Sequence, residues 1–125
     1  MPSPLRAATL TLLGLRVAYG AALIAAPERL ALRWLGPPAG APPTQVPLRG
    51  LGAREIVIHG LAIAAALRGA PVRPFLAASL AGDATDMAAT LAGRRGLPDG
   101  AAPATIAVAG GSALLTAALA AAVDR

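Results

Sequence analysis

Leu51-Gly52-Ala53-Arg54-Glu55-Ile56-Val57-Ile58-His59-Gly60 sets an arginine, a glutamate and a histidine inside an apolar run. Ala81-Gly82-Asp83-Ala84-Thr85-Asp86-Met87 does the same with two aspartates. Around these stretches lie four apolar segments, at about 5–26, 48–67, 74–93 and 103–123, separated by clusters of proline, glycine and arginine. Each is roughly 20 residues long, the length at which an α-helix crosses about 30 Å of hydrocarbon. No strand-period alternation and no internal repeat interrupts them. The expected fold is therefore all-α, a four-helix transmembrane bundle forming a single domain over residues 1–125.

Composition supports a lipid-facing chain. Hydrophobic residues make up 56% of the 125 residues and charged residues 14%, with a mean hydropathy of +0.64. Aromatics are 2%, so the apolar content is mostly Ala, Leu, Val and Ile. A soluble domain carries about 25% charged residues, whereas small residues let helices approach closely in lipid. A compact soluble helical bundle is the competing reading. The net charge is +5 and all 11 basic residues are arginine. They are scattered along the chain with almost no stacking aromatics, which argues against nucleic acid. There is no cysteine, which removes disulfides, thiol nucleophiles and zinc–thiolate sites.

Only the fourth segment is free of charge. The first contains Arg16, the second Arg54 and Glu55, the third Asp83 and Asp86. A charge at the centre of a span costs about 2.5–3.5 kcal/mol, and a Leu or Ile returns only about 0.3–0.6 kcal/mol. The second and third segments are thus expected to insert packed together, charges inward. Arg16 also interrupts the apolar core that a cleaved secretory signal would need. Between the first two segments, Pro27–Gly36 reads as a short interfacial helix with Leu30, Trp34 and Leu35 on one face and Arg29 and Arg33 on another; a lid helix resting on the bundle is the alternative. Pro37–Pro43 reads as a stiff, non-helical connector. The short 68–73 connection makes the second and third helices antiparallel neighbours. Arg6, Arg68, Arg73 and Arg125 fall on the face of the termini, against Arg29, Arg33, Arg49, Arg94 and Arg95 opposite, so arginine counts leave the orientation open.

Depth brings the ionisable groups together. At 1.5 Å per residue from the Trp34 face, Arg54, Glu55 and His59 lie about 8, 9 and 15 Å down, Asp86 and Asp83 about 12 and 16 Å, and Tyr19 and Arg16 about 12 and 16 Å. Ser79, Asp83, Asp86 and Thr90 form one helical stripe, and Glu55 stacks on His59 at i,i+4. The fourth segment offers Gly110, Gly111, Ser112 and Thr116. Gly14, Gly20 and Gly110-Gly111 read as packing notches.

Two readings follow. Arg16 and Arg54 can pair with Glu55, Asp83 and Asp86 as a structural network. Alternatively these residues, with Tyr19, line a polar pocket, since ionisable groups in a membrane interior are functional by default. Glu55, His59, Asp83 and Asp86 are the candidate acid/base residues; Arg16, Tyr19 and Arg54 are candidates for ligand binding or ion pairing. Glu55, His59, Asp83 and Asp86 form a chemically possible divalent-metal set, but no metal or other cofactor is expected. Nucleotide-loop, zinc-protease and serine-hydrolase motifs are missing.

At Gly52-Ala53-Arg54-Glu55, Gly60, Asp83 and Asp86 the chain resembles a group of small four-helix membrane proteins with a G-x-R-E motif in the second span, and more distantly DoxX-like proteins. That resemblance implies a four-helix integral membrane protein and supplies no substrate. The expected function is a multi-pass module of the cell membrane that binds a small lipophilic molecule or a partner helix. Alternatives are a membrane-embedded acid/base enzyme, such as an isomerase or cyclase of a lipophilic substrate, and a proton-coupled transporter subunit. Membrane lipid is the expected partner, and a homo-oligomer is compatible with four short spans.

Overall fold

A computed structural model describes residues 1–124; Arg125, assigned above to the face of the termini, lies outside the described residues. Among the described residues there are five α-helices and no strand: α1 (Ser3–Ala25), α2 (Pro27–Leu35), α3 (Pro42–Leu67), α4 (Arg73–Ala92) and α5 (Ala101–Ala122). Short 3-10 turns at Pro37–Gly40 and Arg94–Gly96 join α2 to α3 and lead out of α4. α1 packs chiefly on α3 and α4 chiefly on α5, with α3 and α4 joining the two pairs.

The expected boundaries shift most at α3, which starts at Pro42 rather than near Leu48. Pro42 and Pro43 occupy the first helical positions, where a missing N–H costs nothing because those donors have no intrahelical partner. The last two residues of the expected non-helical connector, Pro42 and Pro43, are therefore α-helix, and Pro37–Gly40 form the 3-10 turn. Pro47 lies inside α3, forgoing one backbone hydrogen bond within the opening two turns. At the other end, Gly69 takes a left-handed φ of 68°. This lets Ala70 N–H reach Ala65 O at 2.9 Å, reversing the chain toward α4.

Three helices, α1, α3 and α5, are long and apolar enough to cross a membrane, fewer than the four expected from segment lengths. α4 has the length, but Asp83 and Asp86 fall in its middle and lower its hydropathy. The three apolar helices turn most of their surface outward. In α5 only 11% of the most apolar stretch is buried, and Val108 and Leu114 stand 75% exposed. Such broad apolar exposure is unusual for a protein in water and ordinary for one in lipid.

Two apolar clusters bracket the polar groups. Leu13, Ala62, Val72, Leu76, Leu119 and Val123 close the bundle toward the termini. Ala31, Ala39 and Leu48, with Trp34 and Leu35 packed on them, close the opposite end. α2 is seated on the bundle against α1, α3 and α5, and its Trp34 turns inward, donating from Nε1 to Thr90 Oγ1 at 3.2 Å. Between α1 and α3 the backbones nearly touch: a Cβ built on Gly20 would lie 2.5 Å from Gly52 O, and one on Gly52 2.5 Å from Gly20 O. Gly20 is the packing notch expected of it. Gly14 and Gly111 are not, for nothing lies within 4 Å of a Cβ at either; Gly110 meets only Met87 Sδ at 3.8 Å.

Candidate functional site

Arg16 is the hub of the polar layer, and all five of its N–H donors are engaged. Nε donates to Glu55 Oε2 at 2.7 Å and Nη2 to Glu55 Oε1 at 3.0 Å. Nη2 also reaches Asp83 Oδ1 at 2.8 Å, and Nη1 reaches Asp83 Oδ2 at 3.1 Å and Ser112 Oγ at 2.6 Å. One side chain thus ties α1 to α3, α4 and α5. The planar guanidinium fork permits this, presenting two edges that each match a carboxylate bidentately. Glu55 and Asp83 are 3% and 4% exposed; two carboxylates so close and so dry are tolerable only with a cation between them.

His59 sits one turn beyond Glu55 on the side away from Trp34. Its Nδ1 lies 2.6 Å from Glu55 O and donates to it, and Nε2 meets Ser79 Oγ at 2.8 Å. The Glu55 carboxylate is 3.4 Å from Nδ1, so the expected i,i+4 stacking is present, but the close contact is to the backbone carbonyl. Ser79, noted in the sequence only as part of a stripe, orients the ring from α4. The stripe itself faces inward: Ser79, Asp83 and Thr90 are buried.

Arg54 and Asp86 form a second, more open pair. Arg54 Nη2 donates to Asp86 Oδ2 at 3.0 Å and lies 3.9 Å from Glu55 Oε1. Their side chains are 36% and 27% exposed, so these two stand at the edge of the layer rather than fully inside the bundle as expected. The Arg54 guanidinium lies against Gly82, where a Cβ would come within 3.3 Å of Nη2. No described residue donates to Asp86 Oδ1. Tyr19 lies at the predicted level yet is 40% exposed, and among the described residues its hydroxyl has no hydrogen-bond partner.

Two clefts meet at this edge. The larger, of 520 Å³, has Arg16, Glu55, Asp83, Asp86 and Ser112 on its floor, Tyr19 and Leu30 on one wall and Ala104 and Val108 on another. The smaller, of 340 Å³, runs between α2 and α3 past Pro47 and Arg54. Trp34, Leu51 and Asp86 line both and form the partition. A polar pocket was expected at these residues, and Arg16, Tyr19, Glu55, Asp83 and Asp86 do line the larger cleft; the sequence did not indicate the part played by α2 or the division into two clefts.

Among the described residues no group of three or more His, Cys, Asp or Glu side chains is placed to hold a metal ion. The set considered from sequence is divided instead: Glu55 and Asp83 are clasped by Arg16, Asp86 faces Arg54, and His59 is turned to Ser79. No protein-family model, curated protein or solved structure matches the chain.

Proposed function

We propose that the chain is a multi-pass protein of the cell membrane, all four long helices spanning, that holds a small lipophilic molecule in the larger cleft. The observation that carries this reading is the juxtaposition of apolar walls with a polar floor. Leu30, Ala104 and Val108 flank the opening, and Asp86, Arg16 and Ser112 close its base. Small-molecule sites have this plan, with volumes of about 300–1,000 Å³ and a few convergent polar groups; the cleft has 520 Å³. α4 fits a membrane despite its aspartates, because Arg16 and Arg54 face both of them. A charge shielded by its partners escapes most of the cost of an isolated one.

One observation favours a second reading. Asp86 is the carboxylate outside the clasp of Arg16 and has one oxygen that accepts from no described residue. An acid in that position can exchange a proton with a bound lipophilic substrate, as an isomerase or cyclase requires.

Native mass spectrometry of gently extracted protein tests the binding reading. The wild type is expected to retain a lipophilic molecule, and Ala109→Phe, a substitution at a small α5 residue that lines the larger cleft beside Val108, to lose it while keeping its fold. If the wild type and Ala109→Phe carry the same bulk phospholipid and nothing else, the reading fails.

A further inference from the structure

The polar floor of the cleft discriminates by charge. Resting on the binding reading above, we propose that the occupant is a single-chain amphiphile whose polar end is a protonated amine, with Asp86 as its counter-ion.

The donors that would recognise an anionic end are already engaged. All five N–H groups of Arg16 point at Glu55, Asp83 and Ser112. Arg54 donates to Asp86 and lines only the smaller cleft. Arg33, the remaining cation on the larger cleft, is exposed on α2, at the rim rather than the floor. Against these stand Glu55, Asp83 and Asp86. A carboxylate or phosphate end would enter facing three like charges, a costly arrangement where water is scarce.

An ammonium end meets the opposite situation. Asp86 Oδ1 accepts from no described residue, the Tyr19 hydroxyl, without a partner among the described residues, can accept a hydrogen bond, and the Ser112 oxygen lies beside Arg16 on the same floor. Two guanidinium groups, Arg16 and Arg54, face three carboxylates in the network, so an added cation balances the arginine–carboxylate count. His59, the other basic group of the layer, does not line the cleft; it is turned to Ser79 on the far side of Glu55. The chain of the ligand would lie between Leu30 on one wall and Ala104 and Val108 on the other, none of them charged.

Trp34 is the single tryptophan of the chain and lines both clefts, so its fluorescence reports occupancy directly. In phosphatidylcholine nanodiscs near neutral pH, dodecylamine, dodecanol and laurate are titrated against the wild type and Asp86→Asn. The expected order is dodecylamine first, tighter than laurate by about tenfold or more, the usual size of a charge-assisted contact. Asp86→Asn erases that preference without abolishing dodecanol binding. Laurate binding as tightly as dodecylamine overturns the charge assignment and leaves the cleft reading standing. No saturable response to any of the three overturns both. Because the comparison of probes is made on the wild type, it stands even if Asp86→Asn folds poorly.

Discussion

Arg16 and Glu55 meet side-on through two parallel hydrogen bonds, Nε to Oε2 at 2.7 Å and Nη2 to Oε1 at 3.0 Å, across the α1–α3 contact. The same guanidinium then closes on Asp83 from its other edge. A lysine carries the charge but not the fork, so it can approach one carboxylate only by leaving the other. Arg16→Ala leaves two buried carboxylates facing each other, and removing one member of a buried pair costs about 3–5 kcal/mol. Arg16→Lys is expected to lose a large part of that, and Arg16→Ala nearly all of it. Thermal unfolding in a mild detergent ranks the three proteins; equal midpoints for wild type and Arg16→Lys would refute the fork argument.

Much of this layer was legible beforehand because depth and helical face are simple functions of residue number. Depth put Arg16 and Asp83 at one level, and Asp83 lies on the stripe that runs from Ser79 to Thr90, but it set Glu55 nearer the Trp34 face, whereas Arg16 clasps Glu55 directly. Partner choice was not legible. Arg54 is adjacent to Glu55 in sequence yet pairs with Asp86, because one residue of helix turns it about 100° away. Nor did segment length separate α4 from its neighbours, since the aspartates that lower its hydropathy are the ones Arg16 and Arg54 compensate. The start of α3 is hidden in the sequence because proline reads as a breaker, although at the first helical positions it is favourable.

The closeness of α1 and α3 depends on two glycines. A side chain at Gly20 would meet Gly52 O at 2.5 Å and Glu55 Cβ at 2.9 Å, so the helices must separate to admit it, pulling Arg16 from Glu55. Gly20→Ala is expected to cost about 1–3 kcal/mol, as overpacking does. Gly60→Ala, on the same α3 but with nothing within 4 Å of its Cβ, should instead stabilise by about 0.5–1 kcal/mol through helix propensity. Paired melting curves check the opposite signs.

Trp34 fastens α2 to α4 through Thr90, at 3.2 Å. Thr90→Val keeps the volume and removes the acceptor, leaving the indole N–H without a partner at a cost of about 1–3 kcal/mol. The loss is local to α2, whose other buried anchors are Pro27 and Ala31. Hydrogen exchange at residues 28–36 should accelerate while α3 and α5 stay protected. Unchanged exchange in α2 would mean that apolar packing on Leu48 and Ala39 suffices to hold it.

At the opposite end α4 and α5 cap each other. Asp124 accepts from the backbone N–H of Val72, at 2.9 Å from Oδ2, and from that of Arg73 at 2.7 Å, which satisfies donors that open α4. Arg73 returns the favour to the end of α5, donating to Ala120 O at 2.8 Å and to Val123 O at 2.7 Å. Each charge also sits at the helix end whose dipole suits it. Asp124→Ala is expected to destabilise by about 0.5–2 kcal/mol, the range for a lost N-terminal cap. Because the bonds from Arg73 to α5 do not involve the Asp124 carboxylate, Asp124→Ala should expose the first turn of α4 to exchange more than the last turn of α5. Arg73→Met should do the reverse. If both variants fray both ends equally, the two caps act as one unit, and a double variant would then cost no more than either single change.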